Sequence, residues 1–294
     1  MQKFEISILK ENMILSKIKC RPQNSHKGSF GTALCICGSQ RYRGAALLAV
    51  EGVIRCGAGI VELASVEQVL SACCIRLPEA VLLPLKQSNN GAISKENIPV
   101  LSQEVQKKQV LLIGCGLTQS EDIAQLVHSL VPLSQCSVVL DADALNVCNG
   151  ARLPKPQQGQ LILTPHPGEM ARLCNKSVEY VQSNRSQLAL QFAKDKDCIL
   201  VLKGHHTLIA SPDGQIFENH TGNSGLAKGG SGDVLAGMIT GLLCSGMNPL
   251  DAAICGVYLH GYSADLCATR KGETSMLPHE ILEDLSQFFA QKGR

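Results

Sequence analysis

The chain has 294 residues, 45% of them hydrophobic, with 27 Lys and Arg against 25 Asp and Glu and a formal net charge of +2. Such a composition can bury a substantial core, and near-neutral charge without a basic block argues against nucleic acid or a membrane surface as partner. No run of about 18 apolar residues occurs, and the first dozen residues lack a signal-peptide core, so the expectation is a soluble, cytoplasmic protein.

Fourteen cysteines invite a metal or disulfide reading. Their spacing opposes both, because no C-x-x-C occurs and most lie inside apolar runs such as Leu34–Cys37. There they act as small hydrophobes in a reducing compartment.

In chain order, residues 1–27 are polar and mixed and predict no clear element. A strand is expected at Thr32–Cys37, then a strand-to-helix loop at Gly38–Gly44, a favoured ligand position. A helix rich in small residues follows over Ala45–Cys56, and Ala45 at its start leaves room for a ligand to approach. Ile60–Ala64 reads as a strand, and Ser65 with Gln68 as a capping box opening a helix. Ala80–Leu85 reads as a buried strand, 97–107 as a helix and Val110–Ile113 as a strand. Gly114–Thr118, with Gly116 inside it, is a second glycine-bearing turn at a strand's C-terminal end. Thr118 with Glu121 fits another capping box.

Val138–Asn146 predicts a strand whose exit carries Asp141 and Asp143, carboxylates suited to a hydrated metal, to ribose hydroxyls or to helix capping. Leu161–Glu169 repeats the theme with His166 clamped between Pro165 and Pro167, which fix the backbone around it. A rigidly held histidine at a strand end is a candidate ligand contact. Residues 177–195 read as one amphipathic helix and Cys198–Lys203 as a strand. Gly204–Thr207 breaks that strand, and 208–210 with 215–218 form a hairpin about the turn Ser211–Gly214. Lys203 reads either as a contact for a nucleotide phosphate or as a solvated strand end. Helices over about 249–267 and 279–290 finish the chain.

The most informative stretch is Asn223–Ile239. Gly225, Gly229, Gly230 and Gly232, with Ser224 and Ser231, lead into an apolar helical run beginning at Val234. Glycines let backbone amides approach a ligand, and a helix start adds unpaired donors and partial positive charge, so Gly229, Gly230, Ser231 and Gly232 form a candidate anion hole. Asp233 stands at its rim, as a helix cap or as a base for a hydroxyl that attacks phosphate. Neither the P-loop pattern nor a complete G-x-G-x-x-G is present. Alternating strands and helices predict a mainly parallel sheet with helices on both faces. The strand-end loops from residue 38 to residue 233 must converge on one site, so 1–294 is read as a single domain.

Thr164–Glu169, Asp141–Asn146, Val201–Gly204 and Asn223–Asp233 together resemble the ADP-dependent (S)-NAD(P)H-hydrate dehydratases, over about residues 28 to 285. The Gly-Gly-Ser-Gly-Asp piece alone would indicate only a ribokinase-like kinase. The resemblance implies a ribokinase-like three-layer αβα sandwich and repair of the hydrated cofactors NADHX and NADPHX, with ADP (ATP possible) as phosphoryl donor and Mg2+ required. It implies that Ala45, Gly116, His166 and Asp233 contact the hydrate. Lys203, Gly204, His205, His206 and Thr207 would line the nucleotide site with Gly232. It also implies a homotetramer and a partner epimerase encoded apart from this stretch. The metal ligands stay open. Two rival readings are a ribokinase-like kinase of a small vitamin-precursor alcohol and a non-catalytic nucleotide sensor.

Overall fold

The computed structural model describes residues 5–148, 150–291 and 293. Ten strands are present among them: β1 (Ile6–Ile8), β2 (Thr32–Ile36), β3 (Ile60–Val66), β4 (Val81–Leu85), β5 (Val110–Ile113), β6 (Ser137–Leu140), β7 (Leu161–Leu163), β8 (Ile199–Leu202), β9 (Leu208–Ala210) and β10 (Ile216–Glu218). They form one sheet in the order β1-β10-β9-β8-β7-β6-β5-β2-β3-β4. Only β9 runs against its neighbours; every other pair is parallel. Strands β5, β7 and β8 are buried at every residue, the pattern of a parallel sheet covered on both faces.

From β2 the chain steps outward through β3 to β4, then returns to place β5 on the other side of β2 and steps on through β6, β7 and β8. The order therefore reverses between β2 and β5. In an open α/β sheet the crevice beyond the carboxyl ends at such a point is where ligands sit.

Twelve helices accompany the sheet in the described residues: α1 (Glu11–Lys17), α2 (Arg43–Arg55), α3 (Glu67–Arg76), α4 (Ile98–Val105), α5 (Glu121–Leu130), α6 (Asp143–Asn146), α7 (Pro167–Cys174), α8 (Val178–Ser183), α9 (Arg185–Lys196), α10 (Ser231–Cys244), α11 (Pro249–Lys271) and α12 (Ile281–Gln291). Helix α10 packs on β2, β5 and β6 and is buried at every residue from Val234 to Cys244. A helix apolar all round belongs in the interior. It also crosses α2 backbone to backbone. A Cβ at Gly237 would lie 2.1 Å from the Ala49 carbonyl, one at Gly241 2.4 Å from the Val53 carbonyl, and one at Gly52 2.8 Å from the Val234 carbonyl. Those three missing side chains set the spacing of the two helices.

Several local expectations are corrected. Ser65 caps no helix: it lies in β3 and donates to the Cys37 carbonyl at 2.6 Å, while α3 begins at Glu67 after Val66. Thr118 is not a cap either. Its amide is drawn to Asp143 Oδ2 at 2.8 Å in a left-handed conformation, and Ser120 caps α5 instead. Residues 177–195 form two helices, because the Asn184 side chain bonds back to the Tyr180 carbonyl and its backbone leaves the helical region. The strand expected to run through Asp141 stops at Leu140, and α6 begins at Asp143. The ambiguous N-terminal stretch supplies β1 and α1, and β1 pairs with β10 outside the hairpin. Among the described residues no disulfide occurs, and most thiols are buried.

Candidate active site

The site begins with close packing of strand exits. A Cβ on Gly114, after β5, would fall 1.8 Å from the Asp141 carbonyl, so the exits of β5 and β6 press together. Gly116 has φ 67, and a Cβ there would lie 2.7 Å from that of Ala45 and 2.8 Å from that of Tyr42. The start of α2 and the Gly114–Thr118 turn thus share one wall.

Asp141 is the buried hub. Its Oδ1 accepts from Thr164 Oγ1 and from Lys203 Nζ, each at 2.7 Å. Lys203 Nζ also lies 3.8 Å from Glu169 Oε2. Burial alone would pull the Lys203 ammonium down, but Asp141 and Glu169 more than offset it and hold the group above its ordinary value. Lys203 is therefore committed to Asp141; its side chain is only 18% exposed.

His166 caps α7. Its Nδ1 accepts from the amides of Gly168 (3.0 Å) and Glu169 (3.4 Å), while Glu169 Oε2 accepts from the His166 amide at 2.7 Å. This is a capping box with histidine in the serine position. The proline clamp pointed to a held ring; the Glu three residues on was the signal for what holds it. Burial first, then Lys203, depresses the His166 pKa. With Nδ1 accepting, the hydrogen-bond pattern puts the proton of the neutral ring on Nε2.

The first turn of α10 rests on this pair of charges. A Cβ on Gly232 would lie 3.1 Å from Lys203 Nζ and 3.9 Å from Asp141 Oδ2. The cap position belongs to Gly230, at φ 103 and with no side chain, so Asp233 is the third helical residue and not the cap. The amides of Gly232 and Asp233 precede any intrahelical carbonyl they could reach. Ser231 is buried, and among the described residues its Oγ finds no hydrogen-bond partner. Gly229 is open to solvent. The result is a cradle of unspent donors at the positive end of a buried helix.

Burial is the main force on Asp233, raising its pKa from 3.8 to about 7, and Asp141 beside it adds to the effect. The Cys115 thiol and Lys203 partly counter it. The ligating atoms of Cys115, Asp141 and Asp233 all lie within 4.8 Å of one another. Hydrogen bonding to Cys37 and burial push the Cys115 thiol up, so it keeps its proton. A carboxyl poised near neutrality beside an anion cradle can accept a proton from a hydroxyl held there.

The 203–207 loop is shaped from beneath by Arg185, which sequence reasoning missed. Its guanidinium donates to the carbonyls of Leu202 (3.2 Å), Lys203 (3.3 Å) and His206 (3.2 Å). A Cβ on Gly204 would meet it at 2.7 Å. Thr207 Oγ1 closes the loop on the Gly204 carbonyl. His205 and His206 do not join the buried cluster; at the surface they stack on each other, and His206 also stacks on His220. His260 on α11 was also missed. It is buried, pushed down to about 4 chiefly by burial, and its Nε2 lacks a partner among the described residues.

Comparison with known proteins bears on the family and the fold. A family model described as NAD(P)H-hydrate dehydratase matches residues 33–287. The ADP-dependent (S)-NAD(P)H-hydrate dehydratase of Bacillus subtilis is 37% identical over 275 residues, 94% of this chain and 95% of that one. The bifunctional NAD(P)H-hydrate repair enzyme Nnr of Moorella thermoacetica is 37% identical over 285 residues, 97% of this chain but 54% of its own length. The chain thus spans about half the length of the bifunctional relatives it matches. Among solved structures, the ADP/ATP-dependent NAD(P)H-hydrate dehydratase from Bacillus subtilis, co-crystallised with ATP/Mg2+, superposes with a TM-score of 0.88. It shares 35% identity and covers 99% of this chain and 100% of that one. The architecture is the ribokinase-like one, a mostly parallel central sheet flanked by helices. No helix among the described residues is long and apolar enough to cross a membrane.

Proposed function

The chain belongs to the NAD(P)H-hydrate dehydratase family, and from that premise we propose that it removes water from the S epimers of NADHX and NADPHX at the expense of ADP or ATP. The observation that carries the reading is Asp233, a carboxyl raised to about 7 in the first turn of α10, the helix whose start follows the Gly229–Gly230 turn. Asp233 takes the proton of the ring hydroxyl. The freed oxygen attacks the donor's terminal phosphorus as the bond to the bridging oxygen breaks and AMP leaves from ADP, or ADP from ATP, and the charge growing on the phosphoryl oxygens meets the α10 amides. Hydroxide is a poor leaving group and phosphate a good one. Phosphate then departs with electron push from the ring nitrogen, a proton leaves the neighbouring carbon, and the dihydronicotinamide is restored.

Ala45, Gly116 and His166 are the proposed hydrate contacts, and Gly204, Thr207 and Gly232 the nucleotide contacts. His205 and His206 would border the nucleotide from outside. Lys203 acts by holding Asp141, and its field reaches Asp233. A divalent cation fits this donor set. Asp141 Oδ2 faces Asp233 and takes only the Cys115 thiol at 3.9 Å, leaving an oxygen of the kind magnesium accepts alongside phosphate oxygens and water. Magnesium, when bound, supplies charge neutralisation at the phosphoryl group. Protonated Cys115 is no ligand for so hard an ion.

Unpaired buried thiols support a reducing, cytoplasmic setting, and the proposed homotetramer of single-domain chains rests on the family resemblance of the sequence motifs alone. The deciding experiment incubates the protein with NADHX, magnesium and either ADP or ATP and follows the NADH absorbance band. Recovery of NADH with loss of the terminal phosphate supports the proposal. Accumulation of a stable phosphoester from a small alcohol would point instead to a kinase, and nucleotide binding without any turnover to a sensor.

A further inference from the structure

Outside the buried site the hairpin β9–β10 gathers two imidazoles and a carboxylate at its open end. Its antiparallel register sets Leu208 opposite Glu218. The Asn219 amide donates to the Thr207 carbonyl at 2.9 Å and carries the ladder one step further. Continued by two residues, the register brings His206 opposite His220. Side chains alternate along a strand, so Glu218 and His220 share a face. The rings of His206 and His220 do stack there, 4.1 Å apart and within 10° of parallel. Glu218 Oε1 lies 2.5 Å from His220 Nε2 and 3.5 Å from His206 Nδ1.

We propose that His206, Glu218 and His220 form a binding site for a divalent transition-metal ion of the zinc class, separate from any magnesium beside Asp233. Their three donor atoms all fall within 4.8 Å of one another. A tetrahedral ion at about 2.0–2.1 Å from each donor would space the donors about 3.3 Å apart, so only small movements are required. Two imidazoles and one carboxylate suit zinc, with a fourth position left to water, and do not suit a hard cation such as magnesium.

One movement is obligatory. An imidazole lone pair lies in the ring plane, so one ring must swing out of the stack to face the ion. Both side chains are partly open to solvent, 43% exposed for His206 and 41% for His220, and because His206 is stacked on both faces, by His205 and by His220, the ring that swings is His220. The backbone need not follow. His206 is held at φ 56, a conformation few non-glycine residues adopt, and its carbonyl is gripped by Arg185. An outlying backbone of this kind is tolerated where the surroundings over-determine it. The charges nearby divide: Glu218 favours a cation and Arg185 opposes one. His205 stacks on His206 at 4.1 Å and is a spare ligand.

An ion here would tie the 203–207 loop to the segment that leaves β10 for the glycine loop. The inference stands on its own residues and does not rest on the dehydratase reading. It is tested by titrating zinc into protein freed of metal by a chelator, with calorimetric detection. The wild type is compared with His206→Ala, His220→Ala and, as a control on α5, His128→Ala. All altered side chains are exposed, and melting without metal confirms that each variant folds. The expected result is one zinc per chain in the wild type and in His128→Ala, weakened at least about tenfold in the other two variants. Binding as tight as the wild type's in both His206→Ala and His220→Ala would assign the zinc to thiols or another site and overturn the proposal. So would the absence of any saturable site in the wild type.

Discussion

Replacing Asp233 with Asn should make the protein more stable and inactive together. In the folded state the carboxyl titrates near 7 in place of 3.8, because burial and the neighbouring Asp141 disfavour its charge. Between those two values the folded protein holds a proton that the unfolded chain has released. Stability therefore falls as pH rises from about 4 to about 7 and is flat above that range, as far as this group is concerned. The shift is about three units at 1.36 kcal/mol each, so the charge costs about 4 kcal/mol at pH 8. Asn removes the charge and keeps the size. Urea unfolding of the two proteins at a series of pH values should give matching stabilities near pH 4 and a growing advantage for the variant. The melting temperature should rise by about 8 °C at pH 8. NADHX turnover should drop by orders of magnitude while nucleotide binding persists. A variant no more stable than wild type at pH 8 would show that Asp233 carries no such strain, and near-normal turnover would remove it from the base role.

Two more outcomes follow from the same cluster. With nucleotide and magnesium saturating, kcat/KM for NADHX should climb on an acid limb as Asp233 loses its proton, at a pH no higher than about 7 because a bound cation favours the carboxylate; a profile flat from about pH 4.5 to 8.5 would contradict that assignment. Lys203→Met should cost about 3–5 kcal/mol in chemical denaturation, since it strands Asp141 in the interior with only the Thr164 hydroxyl and the distant Cys115 thiol left to it among the described residues. Because Lys203 also favours ionised Asp233, the acid limb should move to higher pH in that variant, and a loss under about 1 kcal/mol would show the pair to be dispensable.

The alternation of apolar runs with glycine-bearing turns made the parallel sheet and the meeting of its carboxyl ends legible, because both depend on short-range patterns. The Gly229–Asp233 loop was legible for the same reason. What escaped was set by partners remote in sequence. Thr118 reads as a cap until Asp143, at the exit of the neighbouring strand β6, takes its amide. Lys203 reads as a free cation until Asp141, more than sixty residues earlier, claims it. Nothing around Arg185 announces that its guanidinium supports the loop at 202–206. His166 was a partial reading. Its rigidity followed from the flanking prolines, but its capping of α7 needed the Glu169 spacing to be weighed.

The contact of α2 with α10 has a consequence for motion. Ala45 lies in the first turn of one helix and Asp233 in the first turn of the other, and three glycine-lined contacts leave these helices no slack. The proposed base and the Ala45 wall travel together, like the fixed jaw of a vice, and Gly116 in the turn after β5 is packed against that same wall. Opening to admit the proposed nucleotide and hydrate must then be drawn from the other jaw, the 203–207 loop. A bulky graft at Gly237, deep in the interior and nowhere near a ligand, would pry the fixed jaw apart and be felt at both ends of the bite.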